Sequence, residues 1–316
     1  MRMISPLTQF AALFPGQLSE KAGMGEALAG RYPYVGELFD EASRRSGVDL
    51  RSTFFGSGSP ALHDDLPAQV GVFVVSIAVL DVLRREHGLR PAAAAGYSLG
   101  TYAALVAAGS LDRWGALDVI LEVARLLHDS RPEGGMGFVI GLAAADVERE
   151  LASVAPESEL AIGNRNAPNQ VVLSGRGKAL DAALEHFAPR ALKVGRLPVD
   201  WPMHSALLRP VVKRVEEFVR NRVPVAAPTE ARLFAPMLGR EVVTAEEAAD
   251  VLANQVAHPS DWEGAVRAMA SAGYEEFVEA GPGDVLVRML RWTLRDAKAA
   301  TLESPVTIDR FVAERK

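Results

Sequence analysis

Short uninterrupted apolar runs alternate along the chain with longer stretches whose apolar positions recur every three or four residues. This is the pattern of buried strands joined by amphipathic helices. QFAALFP (9–15) is the first such run, closed by Pro15-Gly16. Helical patterns follow over 24–45 and 67–87, the second stopped by Gly88. PAAAAGYSLG (91–100) then supplies a short strand and a turn. Helical periodicity resumes over 99–108 and 113–130 and ends at the break RPEGG (131–135).

The order of elements changes after that break. MGFVIGL (136–142), ELAIGN (159–164), QVVLSG (170–175) and ALKVGRLPV (191–199) read as strands, with helices over 143–154 and 177–187. The order β-α-β-β-α-β is that of a ferredoxin-like unit. Mixed α/β patterning then returns: a helix over 206–220, a strand at RLFAP (232–236), helices near 244–256 and 260–271, a strand at EEFVEAG (275–281) and a helix over 283–296. The pattern predicts an α/β fold. Residues 1–134 and 200–316 form a large, hydrolase-like catalytic domain, and residues 135–199 an inserted ferredoxin-like subdomain (βαββαβ).

Composition narrows the class of function. The 316 residues are 49% hydrophobic and 23% charged, as in ordinary water-soluble proteins. A formal net charge of −6 argues against nucleic acid or an anionic membrane as the main partner. Without cysteine there is no disulfide, thiolate metal site or cysteine nucleophile. The N-terminus MRMISPLTQFAALFPG lacks signal-peptide character, and the apolar run 70–83 is short for a bilayer and carries Ser76 and Asp81. A cytoplasmic location and a monomer are the expectations.

The candidate chemistry begins at Gly96-Tyr97-Ser98-Leu99-Gly100, between a predicted strand and helix. This spacing fits a nucleophile elbow, with the serine oxygen held near a helix N-terminus. It equally fits an ordinary strand–turn–helix joint with Ser98 as N-cap. A serine nucleophile needs a base. Of six histidines, His63, His87, His128 and His186 sit in charged or loop-like surroundings. His204 lies in the largely apolar LPVDWPMHSALLRP, where a purely structural histidine is the competing reading. An α/β-hydrolase triad carries its acidic member between serine and a late histidine. Here a whole predicted subdomain separates Ser98 from His204, and more than 100 residues follow, so an esterase fits poorly.

Seven blocks in order resemble the malonyl-CoA:acyl-carrier-protein transacylase and polyketide acyltransferase family, across almost the whole chain. They are FPGQ (14–17) with GMG (23–25), Ala68-Gln69, GYSLG (96–100), NRNAPNQVVLSG (164–175), PMHSALLRP (202–210), QVAHPSDW (255–262) and EAGPGDVL (279–286). The resemblance implies a Ser98–His204 dyad with the Gln255 backbone carbonyl orienting the imidazole. It implies an oxyanion hole from the backbone N–H groups of Gln17 and Leu99, and ping-pong transfer between thioesters. No bound cofactor is implied. The acyl group is carried on the phosphopantetheine of an acyl carrier protein or on coenzyme A.

Departures from the family pattern bear on specificity. Malonyl-specific members pair the substrate carboxylate with an arginine on the helix after the elbow. Ungapped counting from Ser98 places that position on Val123, while Arg125, two residues on, falls on nearly the opposite helix face. Trp201 and Met203 precede the histidine, Tyr97 replaces the elbow's histidine, and Leu18 follows FPGQ where glycine is usual. Tyr97, Val123, Trp201 and Met203, together with Gln69 and Asn166, are the candidate substrate pocket, and Leu18 changes its entrance. The expectation is a discrete polyketide-type acyltransferase for a non-malonyl acyl group, resembling members that transfer aminoacyl or dipeptidyl starters. An editing acyl hydrolase of the same fold is one alternative, and a malonyl transacylase, if a local alignment slip puts Arg125 at the arginine position, is another. For an acidic carrier protein, Arg288, Arg291 and Arg295 on one predicted helix face form the candidate dock, with Arg149 and Arg209 as further cations.

Overall fold

The computed structural model describes residues 9–315. In chain order the strands are β1 (Ala11–Phe14), β2 (Ala93–Gly96), β3 (Gly135–Ile140), β4 (Leu160–Ala167), β5 (Gln170–Gly175), β6 (Lys193–Arg196), β7 (Arg232–Ala235), β8 (Arg240–Val242), β9 (Ser260–Asp261), β10 (Glu276–Ala280) and β11 (Lys298–Leu302). They form two sheets, ordered β11-β10-β1-β2-β7-β8 and β6-β3-β5-β4-β9.

The first sheet is parallel except for the β7–β8 hairpin at its edge. Its central strand β1 is apolar on both faces because both are covered. Phe10, Ala12 and Phe14 join one core with the helix Asp65–His87, and Ala11 and Leu13 join another with Trp262, Leu286 and Met289. A parallel strand under helices on both sides reads as a continuous apolar run for this reason. The second sheet carries the predicted β-α-β-β-α-β order with strands β6-β3-β5-β4, antiparallel throughout. One strand comes from outside 135–199: β9 pairs in parallel with β4 at Asn164↔Ser260 and Arg165↔Asp261.

The helix Asp65–His87 is long and apolar enough to cross a membrane, yet 89% of its most apolar window is buried inside the protein. An all-round apolar helix of this kind is a core element. Its one buried charge, Asp81, is answered by Arg113 through two bonds of 2.5 and 2.8 Å. Ser76 returns its hydroxyl to the Val72 carbonyl at 2.9 Å.

Several boundaries differ from expectation. The pattern over 24–45 is two helices, Glu26–Arg31 and Pro33–Ser46, because Tyr32 before Pro33 is extended (φ −121°). The helix expected over 283–296 is Val285–Thr293, with Leu294 leaving helical geometry (φ −130°). Arg295 therefore lies beyond the helix, and the single arginine face read from the sequence is not formed. Strand β11 and the helix Pro305–Ala313 were not anticipated.

Candidate functional site

Strands β1 and β2 run side by side in parallel, Phe14 opposite Gly96, so the segments that follow them leave the sheet together. Crevices beyond the carboxyl ends of parallel strands are where α/β folds place their chemistry. The turn after β2 is cramped. A Cβ on Gly96 would lie 2.1 Å from the Gly100 carbonyl carbon, and one on Gly100 would lie 2.0 Å from the Phe14 oxygen. The motif's two glycines serve this close backbone approach. The positive φ falls on Ser98 itself, at 50°, a conformation a non-glycine residue adopts at some cost.

Ser98 does not cap the helix Gly100–Ala107, which has no side-chain cap. Its hydroxyl instead donates to His204 Nε2 at 2.8 Å. His204 is also held at positive φ (60°), with its backbone N–H on the Val256 carbonyl. Its Nδ1 faces two carbonyls, Gln255 O at 2.9 Å and His258 O at 3.3 Å. Carbonyls only accept, so the proton resides on Nδ1 and Nε2 is left as the acceptor for serine. His258 is the addition that sequence reading missed.

His204 is 2% exposed. Burial lowers its pKa below the ordinary 6.5, with the two carbonyl bonds opposing the shift. A depressed pKa keeps the imidazole neutral, and so able to take a proton, into mildly acidic solution. The acid limb of Ser98 acylation is accordingly expected to have its midpoint below pH 6.5. A pH–rate profile from single-turnover acylation checks this, and a midpoint above that value contradicts it.

The loop after β1 lies against the elbow: a Cβ on Gly16 would approach the Tyr97 oxygen to 2.8 Å and the Ser98 Cβ to 3.6 Å. The next residue, Gln17, sends its side-chain amide to Asp65 Oδ1 at 2.9 Å, and Gln69 donates to the same oxygen at 2.9 Å. Gln69 is thus tied to the loop through Asp65, which sequence reading missed although it sits one helical turn before Gln69. The backbone N–H groups of Gln17 and Leu99 have no backbone acceptor among the described residues.

Beside the elbow a cavity of about 320 Å³ is lined by Gln17, Leu18, Tyr97, Asn166, Phe138, Ile140, Val285 and Met289, with Lys193 its only charged residue. Tyr97 joins the two sheets. Its hydroxyl donates to Asn166 Oδ1 at 2.9 Å, and its ring packs edge-on against Trp262. Burial pushes this phenol up to about 12, so it stays a neutral donor. One wall of the cavity is the helix Val285–Thr293, whose first N–H groups are held by a buried carboxylate. Glu279 accepts from Leu286 N at 3.2 Å and Val287 N at 2.9 Å, and burial pushes its pKa up to about 7. The role of Glu279 in the EAGPG block was not foreseen.

Val123 is buried on the helix Arg113–Ser130, in the same core as Leu99 and Tyr102, with Trp201 and Met203 packed against that core. Arg125 points away and pairs with Glu122 and Asp129 on its own helix. Of the candidate dock, Arg288 and Arg291 line one groove together with Arg310, whereas Arg295 lines a separate one. Arg288 pairs with Asp284 and Arg149 with Asp146. Arg291 and Arg310 have no carboxylate partner among the described residues.

Comparison with known proteins identifies the family. The chain matches the family described as acyl transferase domain over residues 12–308. It is 31% identical to the malonyl CoA-acyl carrier protein transacylase of Salmonella typhimurium, over 98% of this chain and 100% of that one. It is 32% identical to the Bacillus subtilis protein of the same name, over 98% of each. Among solved structures, a malonyl-transacylase in complex with a type II polyketide-synthase acyl-carrier protein superposes with a TM-score of 0.91 (28% identity, 97% and 99% coverage). The malonyl-CoA:acyl carrier protein transacylase of Xanthomonas oryzae superposes with a TM-score of 0.90 (30% identity, 97% and 98% coverage). Family, fold and the paired serine and histidine converge, and the chain belongs to the acyl transferase domain family as an acyltransferase.

Proposed function

We propose that this enzyme moves an uncharged acyl group between a thioester donor and an acyl carrier protein through an acyl-Ser98 intermediate. Supporting the reaction is the 2.8 Å bond from the Ser98 hydroxyl to a neutral, carbonyl-oriented His204. As Ser98 Oγ attacks the thioester carbon, its proton passes to His204 Nε2. The oxyanion is received by the N–H groups of Gln17 and Leu99, and collapse expels the thiolate, which takes the proton from His204. An incoming phosphopantetheine thiol gives its proton to His204 and repeats the steps in reverse.

One observation carries the choice of an uncharged acyl group. Ungapped counting from Ser98 puts the family's malonyl-binding arginine position on Val123, which is buried, and Arg125 is engaged with Glu122 and Asp129. A carboxylate buried there without a cation would cost several kcal/mol, roughly. The names of the relatives favour a second reading, malonyl transfer, for which Lys193 is the one cation lining the cavity. Steady-state transfer to a holo carrier protein from malonyl-CoA and from neutral acyl-CoA esters tests the two. A kcat/KM at least about tenfold higher for a neutral ester is expected from an unpaired buried carboxylate, and equal values favour the second reading. Release of free acid in place of carrier transfer would instead indicate an editing hydrolase.

The carrier protein is proposed to dock at the groove of Arg288, Arg291 and Arg310, which shares a helix with the cavity wall. In a chain of net charge −6, this groove sets Arg288, Arg291 and Arg310 against Asp284 and Glu314, an excess of positive charge suited to an acidic partner. Arg291→Glu is expected to raise KM for the carrier protein by about tenfold while changing KM for a small thioester little. Arg295→Glu, in the other groove, is expected to have the smaller effect. Unchanged carrier KM in Arg291→Glu would move the dock to Arg149 or Arg209.

A further inference from the structure

Four residues after the strand β1, the loop that brings Gln17 to the elbow contains an unusual pair. Leu18 adopts φ 72°, in the left-handed region that a leucine enters only against its side-chain sterics. Its N–H is held at 2.7 Å by Glu20 Oε2, two residues on. The Glu20 side chain is only 2% exposed. Its other oxygen, Oε1, accepts from His63 Nδ1 at 3.2 Å, on the short turn Pro60–His63. A buried carboxylate accepting a backbone N–H makes one of the stronger hydrogen bonds available to a loop.

We infer that Glu20 is a positioning residue for the acylation step: it holds Leu18 in its left-handed turn and thereby aims the Gln17 N–H at the carbonyl oxygen of the reacting ester. Gln17 is fixed from its side chain by Asp65 and from the following peptide by Glu20. Its N–H has no backbone acceptor among the described residues. Glycine at position 18 would adopt the same turn without strain, so the clamp is needed because the residue there is leucine. This inference rests on the proposed role of the Gln17 N–H in acyl transfer.

The dependence of one residue on the other supplies the test. Glu20→Met fills the buried space without an acceptor, and Glu20→Gln keeps a carbonyl oxygen for the Leu18 N–H. Rates of acyl-Ser98 formation are measured by quenched-flow mass spectrometry for wild type, Glu20→Gln, Glu20→Met, Leu18→Gly and the double variant Leu18→Gly/Glu20→Met. Glu20→Met is expected to lower the saturating rate by about 30-fold, a partial loss of one oxyanion donor, with KM changed less than about threefold. Glu20→Gln is expected to retain most of the rate. Against the Leu18→Gly background, the Glu20→Met loss is expected to shrink to about threefold or less. Equal losses in both backgrounds, equal behaviour of the Gln and Met variants, or a wild-type rate in Glu20→Met would each overturn the inference. If Glu20→Met does not fold, Glu20→Ala takes its place in both backgrounds, and a uniform loss there, or no loss in either, also overturns the inference. Absence of any Ser98 adduct in the wild type would count against the proposed function instead, so the two failures are distinguishable.

Discussion

Ser98→Ala is expected to form no acyl-enzyme with any thioester donor and to transfer nothing to a carrier protein, while melting within a few degrees of the wild type. Among the described residues Ser98 is the hydroxyl bonded to a histidine, and its removal leaves the neighbouring backbone unchanged in kind. His204→Ala is expected to retain the nucleophile but lose acylation by roughly a thousandfold, the range of a general base. The residual rate should then rise with pH, because hydroxide can replace the missing base. Intact-mass kinetics checks both. An adduct on Ser98→Ala would place the nucleophile elsewhere.

Val123→Arg is the second large effect. A guanidinium introduced at this buried position offers a malonyl carboxylate a paired, charge-assisted contact, worth about 1.5–3 kcal/mol. The ratio of malonyl to neutral-acyl acylation rates is therefore expected to rise by about 10- to 100-fold. Without substrate the same guanidinium is buried unpaired, so the variant should melt lower and be raised by saturating malonyl-CoA more than the wild type is. An unchanged ratio in a folded variant would show that residue 123 does not face the acyl group.

The parts of the site carried by short sequence blocks were legible before any coordinates. Ser98, His204 and the Gln255 carbonyl come together as their blocks implied. Of the candidate pocket, Tyr97 and Asn166 line one cavity with Gln17, whereas Val123, Trp201, Met203 and Gln69 do not line it. Arg125 turns away from Val123, as two helical steps require. What remained hidden depends on backbone conformation or on long-range pairing. The positive φ of Ser98, His204 and Leu18 leaves no mark in composition, since none is glycine. Glu20 and Glu279 look like ordinary polar residues until their backbone N–H partners are seen. Strand β9 is two residues long and exists only because β4 accepts it. The helix Val285–Thr293 ends without glycine or proline, so nothing in WTLRDAK announced that Arg295 would leave the face of Arg288 and Arg291. β11 is an edge strand, half exposed, whose KAATL has too little apolar alternation to be read as one.

The most direct test is a competition. The wild-type protein is offered equimolar malonyl-CoA and a series of neutral acyl-CoA esters, quenched before a single turnover is complete, and analysed by intact mass and peptide mapping. The account predicts one acyl group per chain, on the peptide containing Ser98, with a neutral acyl group outnumbering malonyl by about tenfold or more. Malonyl as the predominant adduct on Ser98, or an adduct on any other residue, would contradict it.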